Sequence, residues 1–174
     1  MAARPWERLS DPLRNPAPLI QRVYAYAAYR LGDGADADDV TSETFERALR
    51  YRDSYDATKG PPAAWLIGIA QRCVADSLRR RTDLISTTDE TVVDQMTEAD
   101  HADSSALRLD VSAAVATLGL RDRELIALRY GADLKAKDIA VVLGEKTNAV
   151  EVALHRALDR LTSLLEESRP PSRS

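Results

Sequence analysis

Leu134-Lys-Ala-Lys-Asp-Ile-Ala-Val-Val-Leu-Gly144, followed by Glu145-Lys-Thr-Asn-Ala-Val-Glu-Val-Ala-Leu-His-Arg-Ala-Leu-Asp-Arg-Leu161, reads as two helices around a glycine turn. A helix-turn-helix needs a small residue where its helices touch, a glycine at the turn, and apolar residues facing inward at helical intervals. Ala140 and Gly144 supply the first two, and Ile139, Leu143, Val150 and Leu154 the third. Val150, Leu154, Ala157 and Leu161 make an inward stripe on the second helix, leaving Lys146, Asn148, Glu151, His155, Arg156 and Arg160 outward. Such a helix can lie in a DNA major groove. An ordinary antiparallel helix pair with a glycine between would explain the stripe equally well, so the motif alone leaves both readings open.

Composition narrows the rest. The chain has 174 residues, 44% hydrophobic and 30% charged, which suits a soluble globular protein of one domain or two small ones. Apolar residues recur at three-and-four spacing and β-alternation is scarce, so the fold class is all-α. The N-terminus lacks a signal-type apolar core and no stretch has the uncharged length to span a bilayer, which predicts a cytoplasmic protein without membrane insertion. Cys73 is the one cysteine, on an apolar helical face, so it reads as a buried inert thiol, and no disulfide is available. With two histidines and no glycine-rich phosphate loop there is no catalytic site, metal site or cofactor site to build on, and an enzyme is not expected.

The net charge of −4 is unevenly placed. Thr82 to Ser105 holds seven acids, Asp83, Asp89, Glu90, Asp94, Glu98, Asp100 and Asp103, and no Lys or Arg. The flanking halves are each slightly basic. The acidity therefore belongs to a linker, which predicts two small helical domains joined by an acidic flexible tether: an arm over 1–17, a first domain over 18–81, the linker over 82–105, a helix-turn-helix domain over 106–167 and a tail over 168–174. The tether reads as a solvated spacer or as a strand of negative charge that fits a basic channel.

The N-terminal half reads as three helices. Leu19, Ile20, Val23, Tyr24, Ala27, Ala28 and Leu31 mark one apolar face, ended by Gly32-Asp-Gly34. A second helix starts acidic at Asp36-Ala-Asp-Asp39 and ends basic at Arg47, Arg50 and Arg52, in keeping with the helix dipole. Val40, Phe45, Ala48 and Leu49 are its inward candidates, and Asp39, Glu43, Glu46, Arg47 and Arg50 its charged edge. The third runs from Pro62 to Arg81, with Leu66, Ile69, Ala70, Cys73, Val74, Ser77 and Leu78 inward. Arg79-Arg-Arg81 with Arg72 gives a positive face; dipole capping accounts for part of it, but three arginines in a row exceed that need and point to phosphate.

Asp36-Ala-Asp-Asp-Val-Thr-Ser-Glu-Thr-Phe-Glu-Arg-Ala-Leu49, Trp65-Leu-Ile-Gly-Ile-Ala-Gln-Arg-Cys-Val-Ala-Asp-Ser-Leu-Arg-Arg80, Glu124-Leu-Ile-Ala-Leu-Arg-Tyr130 and the helix-turn-helix, in that order, resemble a bacterial RNA polymerase sigma factor of the extracytoplasmic-function (ECF) group. The resemblance covers nearly all of residues 18–167. It implies a transcription initiation factor whose partners are core RNA polymerase, promoter DNA and an anti-sigma factor. It assigns core docking to Asp39, Val40, Glu43, Thr44, Phe45 and Arg47, on the helix that meets the polymerase clamp. It makes Tyr55 to Gly60 a loop that captures a base flipped out of the minus-ten element, with Tyr55 and Lys59 as contacts and Arg72, Arg79 and Arg80 tracking the single strand; aromatic faces suit that task because any base stacks on them. Lys146, Thr147, Asn148, His155 and Arg156 become the contacts to the minus-thirty-five element.

The chain also departs from the family pattern. Gln71-Arg72 stands where Arg-Asn is usual, which leaves the minus-ten preference open. Glu145 replaces an apolar turn residue, Glu151 a frequent Lys and Ala153 a frequent Arg, so reading of the upstream element is expected to be weak or unusual. These departures motivate a rival reading, a sigma-like decoy that binds an anti-sigma protein and never contacts promoters.

Overall fold

The computed structural model describes residues 11–87 and 104–168. They are built of helices α1 (Pro16–Leu31), α2 (Ala35–Arg50), α3 (Pro62–Thr87), α4 (Ser104–Thr117), α5 (Leu120–Ile126), α6 (Ala136–Leu143) and α7 (Thr147–Glu167), with a 3-10 turn at Arg52–Ser54 and a π turn at Ala127–Gly131. No strand occurs among the described residues. None of the helices is long and apolar enough to cross a membrane.

Local chemistry accounts for the boundaries. α1 opens on a proline, whose fixed φ and missing N–H suit a first turn, and closes at Gly32, whose φ of 91° only glycine adopts freely and whose N–H reaches the Ala28 carbonyl at 2.9 Å. The helix thus begins two residues earlier than the sequence reading placed it, and the arm before it carries an Asp11 turn in which Oδ1 accepts the Leu13 N–H at 3.0 Å. α2 carries Asp36 and Asp38 in its first turn and Arg47 and Arg50 in its last. α3 runs on to Thr87 and α4 starts at Ser104, so both ends of the expected linker over 82–105 are helical; the rest of that segment, residues 88–103, lies outside the described residues. So do most of the arm, residues 1–10, and most of the tail, residues 169–174.

Two inward sets need correction. Leu49 is 59% exposed, and α2 instead turns Ala37, Val40, Thr41, Thr44 and Ala48 to α1 and α3. The threonines are tolerated there because each hydroxyl donates to the carbonyl four residues back, Thr41 to Ala37 at 2.7 Å and Thr44 to Val40 at 2.6 Å. In α1 the largest buried side chain is Tyr26, which the apolar pattern passes over, whereas Ile20 is exposed.

The tyrosine is buried because the modules touch. Val23, Tyr26 and Ala27 of α1 and Leu66, Ile67 and Ala70 of α3 share one cluster with Leu125, Leu128, Leu134 and Ile139 of the C-terminal module. A second, smaller cluster of Val115, Leu118, Ile126 and Ala157 lies within the C-terminal module. The two domains are thus closed on each other across α1 and the π turn.

Candidate nucleic-acid interface

The N-terminal face is set by α2 lying along α3. Arg72, Asp76, Arg79 and Arg80 recur at helical spacing on one side of α3. Arg47 reaches across from α2, its Nη2 2.5 Å from Glu43 Oε1 and 3.0 Å from Asp76 Oδ2. Asp76 also accepts from Arg79 at 3.1 Å, Arg80 lies 3.6 Å from Glu43, and Arg81 pairs with Asp36. The Arg47 hydrogen bond, more than any other contact, holds the Asp76 carboxyl below the usual carboxylate range. Four arginines of this face are therefore braced by acids, while Arg72 is exposed and has no carboxylate partner among the described residues.

The core-docking candidates divide on the same helix. Asp39 is exposed, Glu43, Phe45 and Arg47 are half-buried at the edge, and Val40 and Thr44 are buried. Val40 and Thr44 cannot reach a partner; they seat α2 on its neighbours, because their positions fall on the helix's inner side. This corrects their assignment as direct contacts.

Between the two helices the loop is preorganised. The Tyr55 hydroxyl donates to the Gly60 carbonyl at 3.1 Å, and its ring meets Trp65 edge-on with centroids 5.6 Å apart. Asp56 accepts both the N–H and the hydroxyl of Thr58, at 3.0 and 2.6 Å, closing a tight turn. Lys59 projects into solvent, its amine 3.7 Å from Asp56. The loop thus carries a half-buried aromatic ring and an exposed cation, the groups that stacking on a nucleobase and pairing with its phosphate use.

In the C-terminal module the helix-turn-helix forms as its spacing predicts. Gly144 ends α6 in the left-handed region at φ 67°, and its N–H returns to the Val141 carbonyl at 3.3 Å. Val150, Leu154 and Ala157 are buried beneath α7. Lys146, Asn148, Glu151, His155 and Arg156 are exposed along its outer side, with Thr147 half-buried at its first position. Arg160, outward by periodicity, is bound 2.6 Å from Asp122 of α5 and braces the module instead. Glu145, an acid where an apolar residue is usual, ion-pairs Arg121. Sequence reasoning missed that pair, and also Glu124, an acid inside an apolar run that takes three partners from the other module.

Residues 18–83 match the model of sigma-70 region 2, and residues 108–161 that of sigma-70 region 4. The ECF RNA polymerase sigma factor SigD of Mycobacterium bovis is 32% identical over 166 residues, covering 88% of this chain and 74% of that protein. The chain belongs to the ECF RNA polymerase sigma factors. The sigma factor BldN of Streptomyces coelicolor is 35% identical over 149 residues, 83% of this chain, and the chain spans 56% of that protein's length. Among solved structures, the sigma factor RpoE of Bartonella quintana, crystallised with the anti-sigma factor NepR, superposes with a TM-score of 0.65 at 22% identity, over 87% of this chain and 94% of that one. In sigma-factor terms, the loop and the arginine row lie in region 2 and the exposed side of α7 in region 4.

Proposed function

We propose that this chain is an alternative sigma factor that binds core RNA polymerase in the cytoplasm and directs promoter-specific initiation, acting by binding and not by catalysis. One observation carries the reading: a single chain presents two exposed cationic helical faces, one beside an aromatic loop and one on a recognition helix, on the modules that match regions 2 and 4. Asp39, Glu43, Phe45 and Arg47 form a mixed-charge edge suited to a charged partner helix, seated by Val40 and Thr44. Tyr55 and Lys59 take a flipped base of the minus-ten element, and Arg72, Arg79 and Arg80 follow the strand. Lys146, Thr147, Asn148, His155 and Arg156 meet the minus-thirty-five element. An anti-sigma factor is the regulator, a reading supported by the fold it shares with RpoE, which was solved bound to one.

The decisive experiment adds the chain to core polymerase and maps run-off transcripts. Promoter-specific initiation is expected. Asp39→Arg tests the docking edge cleanly, because Asp39 is exposed and has no partner among the described residues to disturb; affinity for core should fall about ten-fold with the fold intact. Transcription no higher than with core alone, together with retained binding to an anti-sigma protein, establishes the decoy reading, which Glu151 and Ala153 favour.

A further inference from the structure

The exposed side of α7 carries one large apolar group. Among the polar side chains of Asn148, Glu151, His155, Arg156 and Asp159 stands Val152, 51% exposed and a member of neither apolar cluster. The helix itself does not favour it, because a β-branched side chain loses rotamer freedom there and ranks below alanine. Water does not favour it either. A single exposed valine is ordinary on a protein surface; what distinguishes this one is its direction.

Val150, Leu154 and Ala157 bury one side of α7. At about 3.6 residues per turn, Val152 points within about 15° of the opposite direction, with Asn148, one turn earlier, about 30° from it. Glu151 and Arg156 lie to either side, at about 90° and about 50°. Asp159 points outward as directly, but it stands about two turns further along, whereas a recognition helix meets base edges with its N-terminal residues. Val152 is therefore the side chain that α7 carries deepest into a groove. Its aim is fixed by α5, where Arg121 ion-pairs Glu145 just ahead of α7 and the adjacent Asp122 holds Arg160 at 2.6 Å. Two neighbouring residues of one helix thus grip the recognition helix before its start and along its length.

An isopropyl group has one partner in the major groove. Ring nitrogens, carbonyls and amines of the bases need a hydrogen-bonding side chain, and valine would only strip them of water. Thymine alone presents a methyl group there, and apolar contact reads it. Exposed Lys146 and Arg156 supply attraction to phosphate, which is the same for every sequence.

We propose that Val152 is a specificity-determining residue that packs on the 5-methyl group of a thymine in the minus-thirty-five element. The proposal rests on the sigma-factor reading, which brings α7 to DNA, and adds to it the base and the group that reads it. The test uses holoenzyme made from core polymerase and the full-length chain, binding promoter duplexes in which each thymine of that element, on either strand, is replaced in turn by deoxyuridine, which lacks only the methyl. Wild type should lose about four-fold in affinity at one position, the effect of withdrawing one methyl from an apolar contact. Val152→Ala should bind the thymine duplex at least that much more weakly, and should no longer distinguish thymine from deoxyuridine at that position. Alanine is the better helix former and the site is exposed, so helical circular dichroism should be unchanged. Where cytosine replaces that thymine, 5-methylcytosine should recover part of the lost affinity for wild type and none for Val152→Ala. Wild type indifferent to deoxyuridine at every position, with promoter-specific binding retained, overturns the methyl contact and leaves the sigma-factor reading standing. A deoxyuridine penalty that Val152→Ala keeps in full overturns it as well, by assigning the methyl to another residue. Failure to bind any promoter specifically overturns both.

Discussion

Arg47 of α2 donates to Asp76 of α3 at 3.0 Å, and Asp76 accepts in turn from Arg79 at 3.1 Å. One carboxylate thereby ties the helix proposed to dock on polymerase to the arginine row proposed to follow the melted strand. Asp76→Asn should release Arg79, leave Arg47 held by Glu43 alone, and remove one of the acids that dilute this face. Binding of a single-stranded oligonucleotide should strengthen and become less selective, with the slope of log affinity against log salt steeper by up to about 0.7 for each cation that gains a phosphate. Fluorescence anisotropy across a salt series measures this, and an unchanged slope shows that the arginines were already free.

The same carboxylate makes the N-terminal module sensitive to acid. The Arg47 hydrogen bond, aided by the charges of Arg47, Arg79 and Arg80, holds the folded Asp76 carboxyl below its ordinary value. A depressed carboxyl stabilises the fold above the unfolded value, near pH 4, and that contribution disappears as pH falls through the folded value. Thermal melts between pH 7 and pH 3 should show wild type losing more stability below pH 4 than Asp76→Asn. Parallel curves would place the Arg47 contact outside the stability balance.

The helices and the recognition face were legible because both rest on short-range periodicity. Val150, Leu154 and Ala157 repeat at helical spacing, and Gly144 stands where a left-handed residue must end α6. What stayed hidden was long-range. Tyr26 and Glu124 are 98 residues apart in sequence, and nothing local distinguishes Tyr26 from the half-buried Tyr24 and Tyr29 on the same helix. Leu49 was misplaced because hydropathy alone assigned it inward, whereas Thr41 and Thr44 could turn inward once their hydroxyls found backbone carbonyls. Arg160 and Glu145 read as free surface charges until Asp122 and Arg121 came beside them.

Gly144 isolates backbone strain from packing. Its φ is 67°, and nothing lies within 4 Å of where a Cβ would stand. Gly144→Ala should therefore cost only the left-handed penalty, about 1 to 2 kcal/mol, lowering the melting temperature by about 2 to 8 °C. Calorimetry reads the loss directly. A larger drop would mean that the turn is crowded in solution.

Cys73 reports on the core of the N-terminal module. It is fully buried against α2, and burial pushes its thiol above the ordinary value despite the hydrogen bond with Thr44. The thiol is thus protonated as well as inaccessible at neutral pH. Alkylation of the native protein at pH 8 should be slower than that of the urea-unfolded chain by about a hundred-fold or more, tracking the rate at which the module opens. Rapid labelling of a protein with native circular dichroism would contradict the packing of α2 on α3.

On α7, Glu151 stands among Lys146, Asn148, His155 and Arg156 on the exposed side. A carboxylate there faces phosphate unfavourably unless a cytosine amine donates to it in the groove. The two cases separate experimentally. Glu151→Gln should raise affinity for duplex DNA of every sequence if the acid merely repels phosphate, and should relax one base preference, by about 1 to 3 kcal/mol, if it reads a cytosine. Lys146→Ala and Arg156→Ala should instead weaken all sequences uniformly, each reducing the salt slope by about 0.9. The assay is holoenzyme binding to duplexes randomised across the minus-thirty-five element. If all three variants bind like wild type at every salt concentration, α7 does not enter the groove, and promoter recognition rests on the region 2 module alone.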